Sequence, residues 1–177
     1  MSGRTTIELD STDVEVYGSR KQGVAYNYAG QRAGRPHLAT WAEAGVTTAA
    51  ELLSGNEDVR PRAAAMLRRG LAGIPEQVRG EAAAADRLRV RADAGYFTAD
   101  LALAAVEEGC DFAVAAKRNT AMWRAYAGVA ADAWVDAQGM PGAQVAGVDY
   151  APAGWPEGTP SRSSSPTSPP TTTPSRA

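Results

Sequence analysis

Alternating apolar and polar positions dominate the start of the chain, and helical spacing becomes frequent further on. Residues 4–18 predict a strand that changes phase, with Ile7 and Leu9 on one face and Val14 and Val16 on the other. Further strands are predicted at 24–28, 37–41, 46–53, 88–92, 112–116 and 145–150, with helices opened by Pro61, by Thr98 and by Asn119 or Thr120. The pattern favours a mixed α/β fold that begins with an antiparallel meander.

Composition limits the kind of core and partner that the chain has. Alanine supplies 37 of the 177 residues, whereas Leu, Ile, Val and Phe together supply only 26, so we expect a core of small side chains. The net charge of −2 argues against binding nucleic acid by bulk charge alone and leaves room for a local basic groove. The single cysteine excludes an internal disulfide, and the lack of a long apolar run predicts a soluble, cytoplasmic protein without a membrane segment.

Two aspartates hold positions typical of a metal site. Asp10 lies within the first predicted strand, and Asp93 follows the strand at 88–92. Ligands gather at the carboxyl ends of strands in α/β sheets, and carboxylates on neighbouring strands can share divalent cations. The structural alternative is a solvated Asp10 and an Asp93 that caps a turn before Gly95.

A basic-aromatic strip, residues 16–42, contains no acidic residue. Arginine binds phosphates and aromatic rings stack on bases, so the strip suits DNA; a solvated hairpin surface is the alternative. Its members are Arg20, Lys21, Arg32, Arg35 and His37, with Tyr17, Tyr26, Tyr28 and Trp41, and Lys117 and Arg118 begin a second positive stretch.

The remaining candidates favour structural roles. His37 follows a proline at a strand start, and Cys110 enters a strand as a small buried residue. Glu107 and Glu108 fit the surface of a helix end, and no phosphate-binding glycine loop is present.

Five segments, taken in order, resemble the DDE transposases of bacterial insertion sequences over about residues 5 to 158. They are ELDSTDVEVYG at 8–18, AYNY at 25–28, GRPHL at 34–38, ELLSGN at 51–56 and RADAGYF at 91–97. The resemblance implies an RNase H-like mixed sheet with flanking helices, and it makes Asp10 and Asp93 the first two members of a metal-binding acidic triad.

The same resemblance implies an activity and its partners. Two divalent ions, Mg²⁺ or Mn²⁺, would assist cleavage at the terminal inverted repeats of the element and then attack of the freed 3′-hydroxyl on target DNA. A homodimer is one candidate assembly. The generic candidates for DNA contacts are Arg20, Lys21, Arg32, Arg35, Lys117 and Arg118.

The sequence departs from the family pattern at both ends. In this branch the third acid is a glutamate on a helix beyond an inserted β-rich region, and no residue here matches its motif. Such transposases usually carry an end-recognition domain before the first catalytic strand, whereas this sequence starts almost on that strand. We therefore expect an RNase H-like domain over 1–142 that is incomplete at its C-terminus, the start of the inserted region over 143–158, and a disordered tail over 159–177, where sixteen residues are Ser, Thr or Pro.

Three functions stay open from the sequence. The first is a truncated or frameshifted transposase whose own strand cleavage is weak or absent, so that its status as an enzyme is open. The second is a non-enzymatic fragment that binds DNA or interferes with full-length copies. The third is a small RNase H-like nuclease, which would need further acids from Asp13, Asp100, Glu107 and Glu108.

Overall fold

The computed structural model of the chain describes residues 3–18, 20–116, 119–147, 150, 154–157 and 159. The elements are β1 (Thr5–Ser11), β2 (Val14–Glu15), β3 (Ala25–Tyr26), β4 (Arg32–Trp41), β5 (Val46–Ser54), α1 (Ala63–Ala72), α2 (Glu76–Ala84), β6 (Leu88–Ala92), α3 (Ala99–Glu107), β7 (Asp111–Val114), α4 (Thr120–Ala127), β8 (Val135–Asp136) and β9 (Gln144–Val145). Short 3₁₀ turns lie at Arg60–Arg62, Ala94–Tyr96 and Ala131–Ala133.

One mixed sheet organises the chain, in the order β5-β4-β1-β6-β7. β4 runs antiparallel to β1 and β5, and β6 runs parallel to β1 and β7. The short strands β2 and β3 both pair with the start of β4. This arrangement confirms the expected mixed α/β, RNase H-like architecture with an antiparallel start.

The core lies between one face of the sheet and helices α1 and α3. Alternation along β1 turns Ile7 and Leu9 into this core, where they are 0% and 3% exposed. Gly70 of α1 lets the helix approach the sheet closely, because a Cβ at that position would stand 2.7 Å from the Cβ of Ala39 and 3.3 Å from Ile7 Cγ2. The small-residue core expected from the composition therefore depends on close contact between backbones.

Helix α2 and strand β4 differ from the prediction. Helix α2 was missed because its sequence is mostly polar or small; Pro75 precedes its first turn. Strand β4 begins at Arg32, not at His37, and therefore contains Pro36. The strand tolerates this proline because Pro36 lies opposite the interruption between β1 and β2. There the Pro36 carbonyl accepts a hydrogen bond from the Thr12 N–H.

Beyond α4 the chain forms a separate two-stranded sheet from β8 and β9. β8 was not predicted, and β9 covers only the beginning of the strand expected at 145–150, of which residues 148–149 lie outside the described residues. The hairpin thus has a strand on each side of residue 143, where the inserted region was expected to begin. Across the described ranges, no helix combines the length and the apolar character that a membrane span requires.

Candidate active site

Asp10 and Asp93 stand next to each other at the carboxyl ends of two parallel strands. The register of β1 on β6 pairs Ile7 with Val90 and Leu9 with Ala92, so Asp10 and Asp93 are the next residues along the two strands. The backbone of Asp93 is still extended, with φ −78° and ψ −179°. Because Cα atoms in neighbouring strands are about 5 Å apart, the sheet holds the two carboxylates side by side, and both side chains are exposed.

One oxygen of each carboxylate is fixed by a local backbone N–H. The amide of Ser11 donates to Asp10 Oδ1 at 2.8 Å, and the amide of Gly95 donates to Asp93 Oδ1 at 2.8 Å. Asp93 therefore does cap the turn before Gly95, as the structural alternative predicted. Among the described residues no side chain binds the second oxygen of either carboxylate, so the cap leaves Asp93 able to bind a ligand as well.

Two successive cross-strand pairs at this end of β1 and β6 differ in charge: the first joins opposite charges and the second joins like charges. Arg91 of β6 forms an ion pair with Glu8 of β1, two residues before Asp10. Asp10 and Asp93, the acid pair, then bring two like charges together, an arrangement that is destabilising across strands unless a cation lies between them. Oxygen donors of this type are the ones that Mg²⁺ and Mn²⁺ prefer, so the residues present fit a hard divalent cation.

Asp13 lies three residues beyond Asp10 and has a different environment. Arg35 Nε donates to Asp13 Oδ1 at 2.7 Å, and Asn27 Nδ2 donates to Oδ2 at 2.9 Å. These contacts, led by the Arg35 hydrogen bond, lower the pKa of the Asp13 carboxyl below its usual value. Arg35 also bonds the backbone carbonyl of Glu57, so this cluster ties the strand ends together.

A buried tyrosine lies in the turn that follows Asp93. Tyr96, in the turn that Asp93 caps, is 1% exposed, and its ring contacts the fully buried ring of His37 at a centroid distance of 5.5 Å. His37 Nδ1 lies 2.9 Å from Glu51 Oε1. The pKa of Tyr96 is raised to about 12, chiefly by burial; the charges of Asp10 and Asp93 also raise it, whereas Ser11 and Arg35 lower it.

Comparison with known proteins assigns this arrangement to a family. A family model described as a transposase DDE domain matches residues 1–156. The chain belongs to the DDE transposase family. No curated protein matches the chain. Membership gives this transposase domain a function in DNA transposition, with DNA as the partner and divalent metal ions in the reaction.

The candidate DNA-contact residues of the transposase domain fall into three groups. Arg20 and Lys21 are exposed on the connection between β2 and β3, where no described residue forms an ion pair with them. Arg32 donates to the carbonyls of Gly18 and Lys21, and thereby holds that connection to β4. Arg35 is engaged by Asp13. Lys117 and Arg118 lie outside the described residues.

Other acids of the domain are occupied elsewhere. Arg68 of α1 binds Glu107 at 2.6 Å and Glu108 at 3.1 Å, which joins α1 to the end of α3 and agrees with their expected surface role. In the described part of the chain, no group of three or more His, Cys, Asp or Glu side chains is placed to hold a metal. The acid pair thus stands without a third ligand there.

Sequence reasoning gave no role to the buried Tyr96. His37 and Cys110 were given structural roles; both are buried, 0% and 5% exposed, and burial raises the pKa of the Cys110 thiol to about 12. From the sequence, Tyr96 was noted only as a member of the RADAGYF segment at 91–97. Its position three residues after Asp93, in a turn that Asp93 caps, is the signal that could have found it.

Proposed function

We propose that this transposase domain acts in metal-dependent cleavage and transfer of DNA strands at the ends of an insertion sequence, with Asp10 and Asp93 as ligands to the divalent cation. One observation carries the proposal: the sheet brings two carboxylates together, and no cationic side chain among the described residues neutralises them. Structural aspartates in the same chain, such as Asp13, have such a partner.

The residues of the chain have defined tasks in this proposal. The backbone amides of Ser11 and Gly95 each donate a hydrogen bond to one carboxylate oxygen, of Asp10 and of Asp93 respectively. The second oxygen of each carboxylate is then the one that would bind the cation. Mg²⁺ or Mn²⁺ held by Asp10 and Asp93 would supply neutralisation of charge on a phosphate and activation of a hydroxyl. The rigid parallel strands keep the two ligands at a fixed separation, which a loop would not do.

We also propose that the chain by itself cleaves DNA slowly or not at all. A two-metal site needs more ligands than two carboxylates, and the described residues supply no third group. The alternative of a small nuclease, in which Glu107 or Glu108 would complete the site of Asp10 and Asp93, is disfavoured because Arg68 binds both glutamates.

The DNA surface belongs to the same proposal. Arg20 and Lys21 are its best-supported members, since both are exposed and the described residues leave them without an ion pair. Arg32 contributes by holding their loop, and Arg35 by holding the strand ends near the acid pair. Lys117 and Arg118 remain proposed contacts that follow the β7 strand.

The test measures DNA binding and its response to a cation together. A labelled duplex is titrated with wild-type protein and with the Asp10→Asn, Asp93→Asn double variant, with and without Mn²⁺. Two unpaired carboxylates repel phosphates, so we expect Mn²⁺ to strengthen wild-type binding and to leave binding by the double variant unchanged. Binding should weaken with added salt in both proteins. Equal responses to Mn²⁺ in both proteins, or no DNA binding at low salt, would contradict the proposal.

A parallel assay on supercoiled plasmid DNA separates the enzyme from the binding fragment. DNA binding that responds to Mn²⁺ without nicking supports a domain that holds cation and DNA but does not cleave alone. Binding that ignores Mn²⁺ supports a non-enzymatic, interfering fragment. Nicking that is lost in the double variant supports a catalytically complete chain and contradicts the proposed weak activity.

A further inference from the structure

The hairpin formed by β3 and β4 presents two tyrosines to solvent. Tyr26 of β3 is 69% exposed, and Tyr28, in the turn that follows, is 97% exposed. Both line a hollow of about 500 Å³ between this turn and the loop that follows β5. The rest of its lining includes Arg35, Asn56, Asp58 and Arg60. Because a ring that stays in water contributes no burial energy, the fold gives Tyr28 no packing role.

The turn that carries Tyr28 is held in place by the buried side chain of Asn27. Asn27 Oδ1 accepts hydrogen bonds from the amides of Ala29 at 3.0 Å and Gln31 at 2.9 Å. Asn27 Nδ2 donates to Asp13 Oδ2 at 2.9 Å, which ties the turn to the end of the β1–β2 segment. The backbone at Tyr28 is thus ordered before any ligand arrives, and a preordered group binds at a lower entropic cost.

Basic residues are held next to the same hairpin. Tyr26 pairs with Arg32 in the register of β3 on β4. The Arg32 guanidinium donates to the carbonyls of Gly18 and Lys21, so the exposed loop with Arg20 and Lys21 lies beside the tyrosines. Cations that track a phosphate backbone, combined with exposed rings on which bases stack, are the usual means of binding single strands.

The hollow itself suits a base better than a phosphate. Both arginines in its lining are paired with carboxylates: Arg35 with Asp13 at 2.7 Å and Arg60 with Asp58 at 2.6 Å. A paired arginine attracts a phosphate weakly, whereas a base needs an aromatic face and polar groups for its edge. The exposed amide of Asn56 can both donate and accept hydrogen bonds there.

The hairpin extends beyond the end of the sheet that carries the acid pair. β4 runs antiparallel to β1, Leu38 lies opposite Asp10, and β4 begins six residues earlier at Arg32. At about 3.3 Å per residue, the hairpin starts about 20 Å along the strand from Asp10. Neighbouring phosphates on one DNA strand are about 3.4 Å apart along the helix axis, so the hollow lies several nucleotides from the acid pair.

We propose that Tyr28, together with Tyr26, binds an unpaired DNA base by stacking, several nucleotides away from the bond at the acid pair. The inference rests on the DNA surface of the proposed function, and it names unwound or single-stranded DNA as what this part of the surface recognises. Paired bases in a duplex are already stacked on their neighbours, so the site discriminates between the two forms of DNA.

The test compares affinities of the full chain for a labelled single-stranded oligonucleotide and for the duplex of the same sequence, by fluorescence anisotropy at low salt. Tyr28→Leu should lower the affinity for the single strand about tenfold and leave that for the duplex within about twofold of wild type. Tyr28→Phe keeps the ring and should bind the single strand as wild type does. Because Tyr28 is exposed, both variants should melt at the wild-type temperature.

Tyr17→Leu is the matched control. Tyr17 is 75% exposed in the same basic-aromatic strip, but its hydroxyl donates to Glu15 Oε2 at 2.9 Å, which holds a carboxylate beside the ring. That negative charge repels a DNA backbone. The affinity of Tyr17→Leu for the single strand should therefore equal that of wild type.

Each outcome supports or overturns the inference. An affinity of Tyr28→Leu for the single strand within about twofold of wild type overturns it. Equal losses for single strand and duplex overturn it as well, because the ring then contacts DNA without needing an unpaired base. A loss in Tyr28→Phe as large as in Tyr28→Leu assigns the effect to the hydroxyl, and an equal loss in Tyr17→Leu shows a general effect; both reject stacking at Tyr28.

Failure of the proposed function looks different. In that case wild-type protein binds neither the single strand nor the duplex at low salt, which rejects the DNA surface and the inference with it. Salt-dependent DNA binding that is indifferent to the Tyr28 ring rejects only the inference.

Discussion

Asp10 and Asp13 are three residues apart in one polar segment, yet they have opposite surroundings. Asp13 accepts hydrogen bonds from Arg35 and Asn27, and its side chain is 19% exposed. Asp10 is exposed, has no cationic partner among the described residues, and faces a second carboxylate across the β1–β6 pair. Residue type and local sequence do not distinguish these two aspartates; the neighbours that the sheet supplies do.

The difference shows that different aspartates of this domain serve stability and function. The Asp13 cluster satisfies its own charges and stabilises the fold around the strand ends. The acid pair concentrates like charge that the fold leaves without compensation, which lowers stability in the absence of a cation. Such a local conflict is expected at functional sites more than elsewhere in a protein.

The largest expected effect comes from neutralising the acid pair. Asp10→Asn and Asp93→Asn should each reduce Mn²⁺ affinity by at least about tenfold, because each removes a direct ligand. Even the loss of a group that only hydrogen-bonds to a metal ligand lowers metal affinity about tenfold or more. Neither should lower the melting temperature without cations, since each removes like-charge repulsion. Mn²⁺ titration and thermal melting of the same samples check both parts, and a large loss of metal-free stability would place Asp10 with Asp13 as a structural residue.

Breaking the Asp13 cluster should have the reverse effect. Arg35→Met removes the ion pair with Asp13 and the bond to the Glu57 carbonyl, and should lower the free energy of unfolding by about 1–3 kcal/mol. Mn²⁺ affinity should change little. Urea denaturation measures the free energy of unfolding. An Arg35→Met variant as stable as wild type would show that the cluster contributes nothing to the stability of the fold.

A pH titration sharpens the same contrast. The pKa of Asp13 is lowered in the folded state, chiefly by its hydrogen bond from Arg35, so its contribution is present above the pKa of the unfolded chain and is lost as pH falls through the lower folded value. As the pH falls below the usual aspartate pKa of about 4, wild type should therefore lose stability that Asp13→Asn does not lose. Parallel stability curves for the two proteins would contradict this assignment.

The smallest effect concerns the exposed basic residues. Lys21→Gln should weaken DNA binding by a few fold at low salt and reduce the slope of log affinity against log salt by about 1, the signature of one lost phosphate contact. Arg62→Gln serves as a control because Arg62 is exposed on α1's preceding turn and binds Glu57 at 3.0 Å. Equal changes in both variants would indicate bulk charge without a defined DNA surface.

The sequence predicted the sheet better than the site. Local signals located β6 and α3 closely, including the Thr98 cap, whereas the strand predicted over residues 4–18 ends at Ser11 and continues only as the two-residue β2. Helix α2 and β8 lack a strong periodic pattern and were missed. The pairing of Asp13 with Arg35 joins residues 22 positions apart, and the burial of Tyr96 against His37 depends on tertiary packing that no local pattern encodes.

A crystal of the full chain soaked in Mn²⁺ and measured at the manganese absorption edge tests the central claim most directly. We predict an anomalous peak between Asp10 and Asp93, about 2.1 Å from an oxygen of each carboxylate, and no such peak beside Asp13. A crystal with no peak at the acid pair, or with its strongest peak elsewhere on the chain, would contradict the account.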